Sequence, residues 1–265
     1  MFVRHFVLAF ALAVLASGFS SQPGQGDSCI VPGSGGFFNS IAARYDLLNQ
    51  VISLGFHGSW RTSAINKILP AQSVLDISTG TGDLAISVAA NRSIRVVGLD
   101  PSPEMLKVAR DKVNRFENSI GDIRLVTGVA EALPFDSDSF DAAAVAFGVR
   151  NFQDRQKGLN EMSRVLKPNG KWAILELSLT DGDQLLDRAT RLFVTGIVPR
   201  VASIISGNRK AYEYLSDSMR KFPDEKEFCK MLEAAGLVVE SQKRLSPLGM
   251  GPFLYSGIKS SDRDN

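Results

Sequence analysis

The residues best placed to do chemistry in this sequence sit in one short window, Asp76-Ile-Ser-Thr-Gly-Thr-Gly-Asp83, and at one carboxylate beyond it, Asp100. Glycines at 80 and 82 let a ligand approach the backbone where a helix begins and its N–H groups lack partners. An acid about 20 residues further on accepts hydrogen bonds from ribose hydroxyls. The spacing Gly80-x-Gly82-x-x-Ala85 also fits a loose dinucleotide fingerprint, so spacing alone leaves NAD and S-adenosylmethionine both open. Charge favours one of them. Asp76 and Asp83 at a helix N-terminus repel a pyrophosphate but suit a ligand carrying an ammonium and a sulfonium, as S-adenosylmethionine does. Asp83 also has the chemistry of a helix cap, and the two roles can coexist.

Strands must hold these groups in place. Val74, Leu75 and Ile77 form an apolar run that empties into the glycine turn, an apolar-periodic helix follows, and Val96-Val97-Gly98-Leu99 runs into Asp100. Pro103 to Phe116 reads as a helix with Ser102 as its N-cap, and Ile123 to Thr127 as a third strand. After the acid-rich loop Ala130 to Asp141, the small apolar residues Ala142 to Phe147 predict a central fourth strand covered on both faces. It opens into Gly148-Val149-Arg150-Asn151, after which Gln153 to Leu166 reads as a helix, Lys167 to Gly170 as a turn and Lys171 to Leu177 as a fifth strand. Alternating strands and helices imply a mostly parallel sheet with ligands gathered beyond its C-terminal strand ends. Three of those ends carry polar groups here: the Gly80 loop, Asp100 and Arg150-Asn151. Asp183 to Met219 reads as a mostly helical insertion after the fifth strand. A helix over Pro223 to Ala235 and strands over Leu237 to Gln242 and Phe253 to Ile258 follow, the two strands forming an antiparallel edge pair.

The first residues differ from the rest. Arg4 and His5 precede an apolar run, Phe6 to Leu15, and then Ala16-Ser17-Gly18, the three parts of a secretory signal. The run is short for a bilayer span. Phe19 to Gly36 is rich in Ser, Gly, Pro and Gln, which marks a disordered leader. Residues 1–36 are thus expected to be a targeting presequence, 37–259 the catalytic domain and 260–265 a frayed tail. The leader resembles the two-part presequences of complex plastids, which makes a plastid the favoured destination. The mitochondrial inner membrane, matrix side, and the secretory pathway are the alternatives. Only Cys229 remains downstream of Cys29, and an odd thiol fits a reducing compartment. His57 is the single histidine after the presequence, so no metal site is expected, and a net charge of +2 gives no reason to expect nucleic acid.

Longer motifs add a family resemblance. YDLLNQVISLGFHGSW (45–60) and RVLKPNGKWAILELS (164–178) resemble the two signatures of the ubiquinone/menaquinone biosynthesis C-methyltransferases, with DISTGTGD, AEALPF and FGVRN in order between them. The likeness covers about Phe37 to Lys259. It implies a seven-stranded Rossmann-like α/β methyltransferase sheet with an antiparallel last strand, a helical N-terminal cap and S-adenosylmethionine as cofactor. It also implies methyl transfer to a ring carbon of a prenylated or phytylated quinol. By motif position, the cofactor contacts fall at Thr81, Asp100, Val129, Ala130 and Ala146. Val129 stands where the family usually has Asn and Ala146 where it has Ser, so each loses a side-chain hydrogen bond. Leu48, Asn169 and Trp172 also depart from the pattern.

Carbon is a poor nucleophile unless the ring is electron-rich, so a polar group should stand near the quinol hydroxyl. Arg150 is the candidate to stabilise the phenolate and Asn151 to orient it, with Tyr45, Asp46, Asn49 and His57 capping the acceptor. The alternative for Arg150 is an ion pair with Asp46 or Asp154. Apolar residues around Pro199, from Leu192 to Ile205, would line a lipid entrance, touch a membrane surface or pack in the core. A homodimer or a quinone-biosynthesis complex completes the expected partners. Competing functions are methylation of another phenol, a tocopherol precursor or a sterol-like lipid, and a non-catalytic scaffold role.

Overall fold

The computed structural model describes residues 36–53, 55–178, 217–245 and 251–261. Three helices lead in: α1 (Gly36–Ile41), α2 (Tyr45–Ile52) and α3 (His57–Ile68). Strand–helix alternation follows, with β1 (Ser73–Ile77), α4 (Asp83–Ala89), β2 (Arg95–Asp100), α5 (Pro103–Phe116), β3 (Ile123–Thr127) and β4 (Phe140–Ala146). After a 3₁₀ turn over Val149–Asn151 come α6 (Arg155–Val165), β5 (Leu166–Glu176), α7 (Glu225–Ala234), β6 (Leu237–Arg244) and β7 (Phe253–Lys259).

The sheet has seven strands in the order β3-β2-β1-β4-β5-β7-β6, the first five parallel. β7 runs antiparallel to both β5 and β6, as expected of the last strand. Burial follows the period of two. On β4, Ala143 and Val145 face one core with Leu159, Met162, Phe228 and Trp172, while Ala142 and Ala144 face the other with Ile65, Ile68, Leu84 and Val88. Small residues at the centre let helices approach both faces. Strand order reverses between β1 and β4, and a switch of that kind opens a crevice at the C-terminal strand ends.

Caps decide most helix boundaries. Ser102 accepts from the Met105 N–H and opens α5 at Pro103. Asp154 and Asp224 cap α6 and α7, so those helices begin at Arg155 and Glu225 rather than two residues earlier. The turn expected at Lys167 to Gly170 is instead a bulge inside β5. Leu166 pairs with Phe140 and Lys171 with Ala142, and Asn169 takes the left-handed conformation (φ 59°) that lets the extra residues loop out. Most of the expected insertion at 183–219, including the apolar stretch around Pro199, lies outside the described residues, as do residues 1–35 of the presequence; Gly36, expected to end the leader, begins α1. No described helix is long and apolar enough to cross a membrane.

Candidate active site

The two central strands both break sharply at their C-terminal ends. Ser78 after β1 and Phe147 after β4 sit in the left-handed region (φ 58° and 61°), rare for such residues and a sign of strain held in place by surrounding structure. They are adjacent: a Cβ added to Gly148 would lie 2.6 Å from Ser78 Cβ. The break leaves a cleft of about 550 Å³, counting solvent at its mouth. Gly80, Asp100, Val129, Ala130, Ala146 and Asn151 line it, together with the rings of Phe38, Tyr45 and Phe147.

The glycine turn is organised by two carboxylates. Asp76, at the buried heart of β1, accepts the Thr79 hydroxyl (2.6 Å) and the Ala85 N–H (3.1 Å). Ala85 is the third residue of α4, so Asp76 occupies a helix-terminal donor that a pyrophosphate would need. Burial outweighs those bonds and pushes the Asp76 carboxyl up to about 7. Asp100 ends β2 and accepts N–H groups from Gly80 and Ser102, one on each oxygen and both at 2.9 Å. Burial raises it to about 6. Each carboxylate oxygen offers two acceptor positions, so both keep one for a hydroxyl pair.

Arg150 differs from the expectation. Its guanidinium meets neither Asp46 nor Asp154; Nη1 donates to Glu176 Oε1 (2.7 Å) and to the Phe147 carbonyl (2.6 Å). The Arg150 backbone N–H also donates to Glu176 Oε2 (3.1 Å). Glu176 is fully buried at the end of β5, so a charged pair under the cleft, rather than a free cation in it, fixes the 3₁₀ turn. Asn151, next on that turn, does line the cleft. Tyr45 faces it from α2, where burial raises its hydroxyl and the nearby Arg150 charge opposes the rise.

Asp83 likewise has another role. It neither caps α4 by a side-chain bond nor lines the cleft; it meets Arg61 (2.9 Å) and Lys112 (2.6 Å). Thr81 donates to Asp46 (2.6 Å) and accepts from Lys112 (3.0 Å). His57 opens α3 outside the cleft lining, bonded through Nδ1 to Ser53 (2.9 Å). Burial and the Arg61 charge lower its pKa. Seven expected site residues (Asp46, His57, Asp76, Thr81, Gly82, Asp83 and Arg150) therefore hold structure around the cleft rather than line it. Lys112 and Glu176 stand among them, with nothing in their own spacing to mark them.

A sequence model of the ubiE/COQ5 methyltransferase family matches residues 33–249. The chain belongs to that family. It is 43% identical over 203 residues to the ubiquinone/menaquinone biosynthesis C-methyltransferase UbiE of Geobacter sp. (strain M21), covering 75% of this chain and 85% of that protein. The demethylmenaquinone methyltransferase of Deinococcus radiodurans is 42% identical over 202 residues, covering 75% and 82%. The fold is shared with the putative methyltransferase of Haloferax volcanii bound to the activator Trm112, at a TM-score of 0.63 and 19% identity, covering 88% of this chain and 100% of that one. A methyltransferase from Aquifex aeolicus aligns at 0.59 and 18% identity, covering 83% and 98%. As a member of the ubiE/COQ5 family, this chain is an S-adenosylmethionine-dependent methyltransferase. The cleft fits that cofactor: acids rather than phosphate donors flank the glycine turn, and Asp100 keeps two acceptors for a ribose diol.

Proposed function

We propose that this family member methylates a ring carbon of a prenylated quinol in ubiquinone or menaquinone biosynthesis, with phylloquinone as the phytylated counterpart if the destination is a plastid. The observation that carries the reading is that Tyr45 and Asn151 line the same cleft as Gly80 and Asp100, beyond the central strand ends, beside the apolar Phe38, Met105, Phe147 and Phe152. S-adenosylmethionine supplies an electrophilic methyl group on a good leaving group. The chain's residues hold the two reactants in line and raise the nucleophilicity of the acceptor carbon.

Gly80, Thr81 and Gly82 form the turn for the cofactor's amino-acid end, ordered from behind by Asp76. Asp100 takes the ribose hydroxyls, and Val129 and Ala130 make an apolar slot for adenine, with Ala146 beside it. Val129 and Ala146 have no side-chain hydrogen bond to offer, so adenine is read by shape and backbone. Asn151 orients the quinol oxygen. Arg150 works through Glu176 as a positioning residue, setting the turn that carries Asn151 and adding positive potential near Tyr45. Asp46, Asp83 and His57 support the cap over the acceptor.

The test is a substrate panel. We expect turnover on reduced demethylated prenyl quinols and none on their oxidised quinones, which lack the electron-rich ring. Asn151→Ala should lower kcat at least tenfold while leaving cofactor affinity within a factor of three, as expected for a lost acceptor-side hydrogen bond. Turnover on a sterol or tocopherol precursor but on no quinol would overturn the substrate assignment. The presequence and a plastid destination rest on the composition of residues 1–36. A fluorescent fusion to those residues that enters no organelle would remove both.

A further inference from the structure

A polar cluster joins the N-terminal helices to the glycine turn. Lys112, on α5, places one ammonium nitrogen against Asp46 of α2 (2.5 Å), Asp83 at the start of α4 (2.6 Å) and the Thr81 hydroxyl (3.0 Å). Asp46 closes the ring by accepting from Thr81 (2.6 Å), and Arg61 of α3 holds the outer oxygen of Asp83 (2.9 Å). Two acids and two bases meet, so the cluster is neutral as long as Lys112 is present. Without it, Asp46 and Asp83, both drawn to the same nitrogen, would repel one another with only Arg61 left.

The cluster sits directly behind the cleft. Tyr45 precedes Asp46, and its ring covers the turn: a Cβ added to Gly80 would lie 3.8 Å from Tyr45 Cε1. α2 rests on this polar seam, and Leu47 on the same helix is 44% exposed. We propose that Lys112 is a positioning residue, a latch that clamps α2 and its Tyr45 over the glycine turn and must yield for the cofactor to exchange. This rests on the methyltransferase reading of the cleft and not on which acceptor is used.

Lys112 is mostly buried and Asp46 nearly half exposed, so salt weakens the latch without abolishing it. The test uses the full chain without cofactor and then with it. In hydrogen exchange, Lys112→Met should speed amide exchange in residues 45–52 at least tenfold and leave 155–165 unchanged. Stopped-flow release of S-adenosylmethionine should accelerate at least fivefold and lose its salt dependence, while Lys112→Arg restores both to within twofold. If Lys112→Met unfolds the whole chain, Asp46→Asn decides, since it removes only the α2 side of the ion pair; it should reproduce the local exchange and the faster release. Unchanged exchange in residues 45–52, or accelerated exchange with unchanged release, overturns the latch. Absence of cofactor binding to the unaltered chain would instead count against the methyltransferase reading.

Discussion

Glutamate 176 offers the sharpest perturbation. Its side chain is fully buried and accepts three hydrogen bonds: from Arg150 Nη1 and the Leu177 N–H on Oε1, and from the Arg150 N–H on Oε2. Glu176→Gln keeps the shape but leaves one acceptor oxygen for three donors and removes the carboxylate that faces the Arg150 guanidinium, itself 8% exposed. Removing one partner of a buried pair costs about 3–5 kcal/mol. For a domain of this size each kcal/mol shifts melting by about 2–4 °C, so a fall of roughly 10 °C is expected. The double variant Arg150→Met/Glu176→Gln removes the guanidinium along with the excess donor and should regain most of that loss, because removing both charges of a buried pair together is often near neutral. Turnover separates stability from catalysis. Both variants should lose at least tenfold in kcat, since each breaks the ion pair that fixes the turn carrying Asn151. Melting followed by circular dichroism, with initial rates on the reduced quinol, decides the matter. A single variant melting within about 2 °C of the parent, or a double variant with full activity, would refute the role given to the pair.

Three further outcomes follow from the same geometry. Asp100 is raised to about 6 in the cofactor-free protein and must be ionised to accept two hydroxyls, so cofactor affinity should plateau above pH 6 and weaken by up to tenfold per unit below it. Calorimetry across pH 4.5 to 8 checks this, and Asp100→Asn should bind weakly with a flat profile. The stability sign is opposite. An acid whose folded pKa is raised stabilises the protonated protein, and that contribution is lost as pH rises from the unfolded value to about 7 for Asp76. Asp76→Asn should therefore flatten the fall in melting temperature of the cofactor-free chain between pH 4 and 7. Gly148→Ala brings a methyl to 2.6 Å from Ser78 Cβ and forces the two strand ends apart, at a cost of about 1–3 kcal/mol by denaturant titration. Cofactor binding should weaken with it.

Much of the architecture was legible because local rules and tertiary packing agree. The Ser102 cap with Pro103 behind it marks the start of α5, and the small residues of β4 mark a strand buried on both sides. The glycine turn and Asp100 could be found because their chemistry depends on spacing along one β–α–β unit. The partners of Arg150 could not. Glu176 lies 26 residues away, brought under the cleft only by the pairing of β4 with β5. Lys112 reads as one more solvated lysine on α5 until folding brings Asp46, Thr81 and Asp83 around it. Ser78 and Phe147 carry no mark either, since a left-handed serine or phenylalanine is imposed by its surroundings and has no propensity to announce it. The bulge at Lys167 to Gly170 shows the reverse case: Lys-Pro-Asn-Gly has the composition of a turn, but pairing of Leu166 with Phe140 draws it into the strand.

The most direct measurement is the position of the transferred methyl group. S-adenosylmethionine with a deuterated methyl, a reduced demethylated prenyl quinol and the full chain should yield a product three deuterons heavier on a ring carbon, located by mass spectrometry and NMR. Label on the quinol oxygen, or binding of the cofactor without transfer to any quinol, would contradict carbon methylation as the reaction of this cleft.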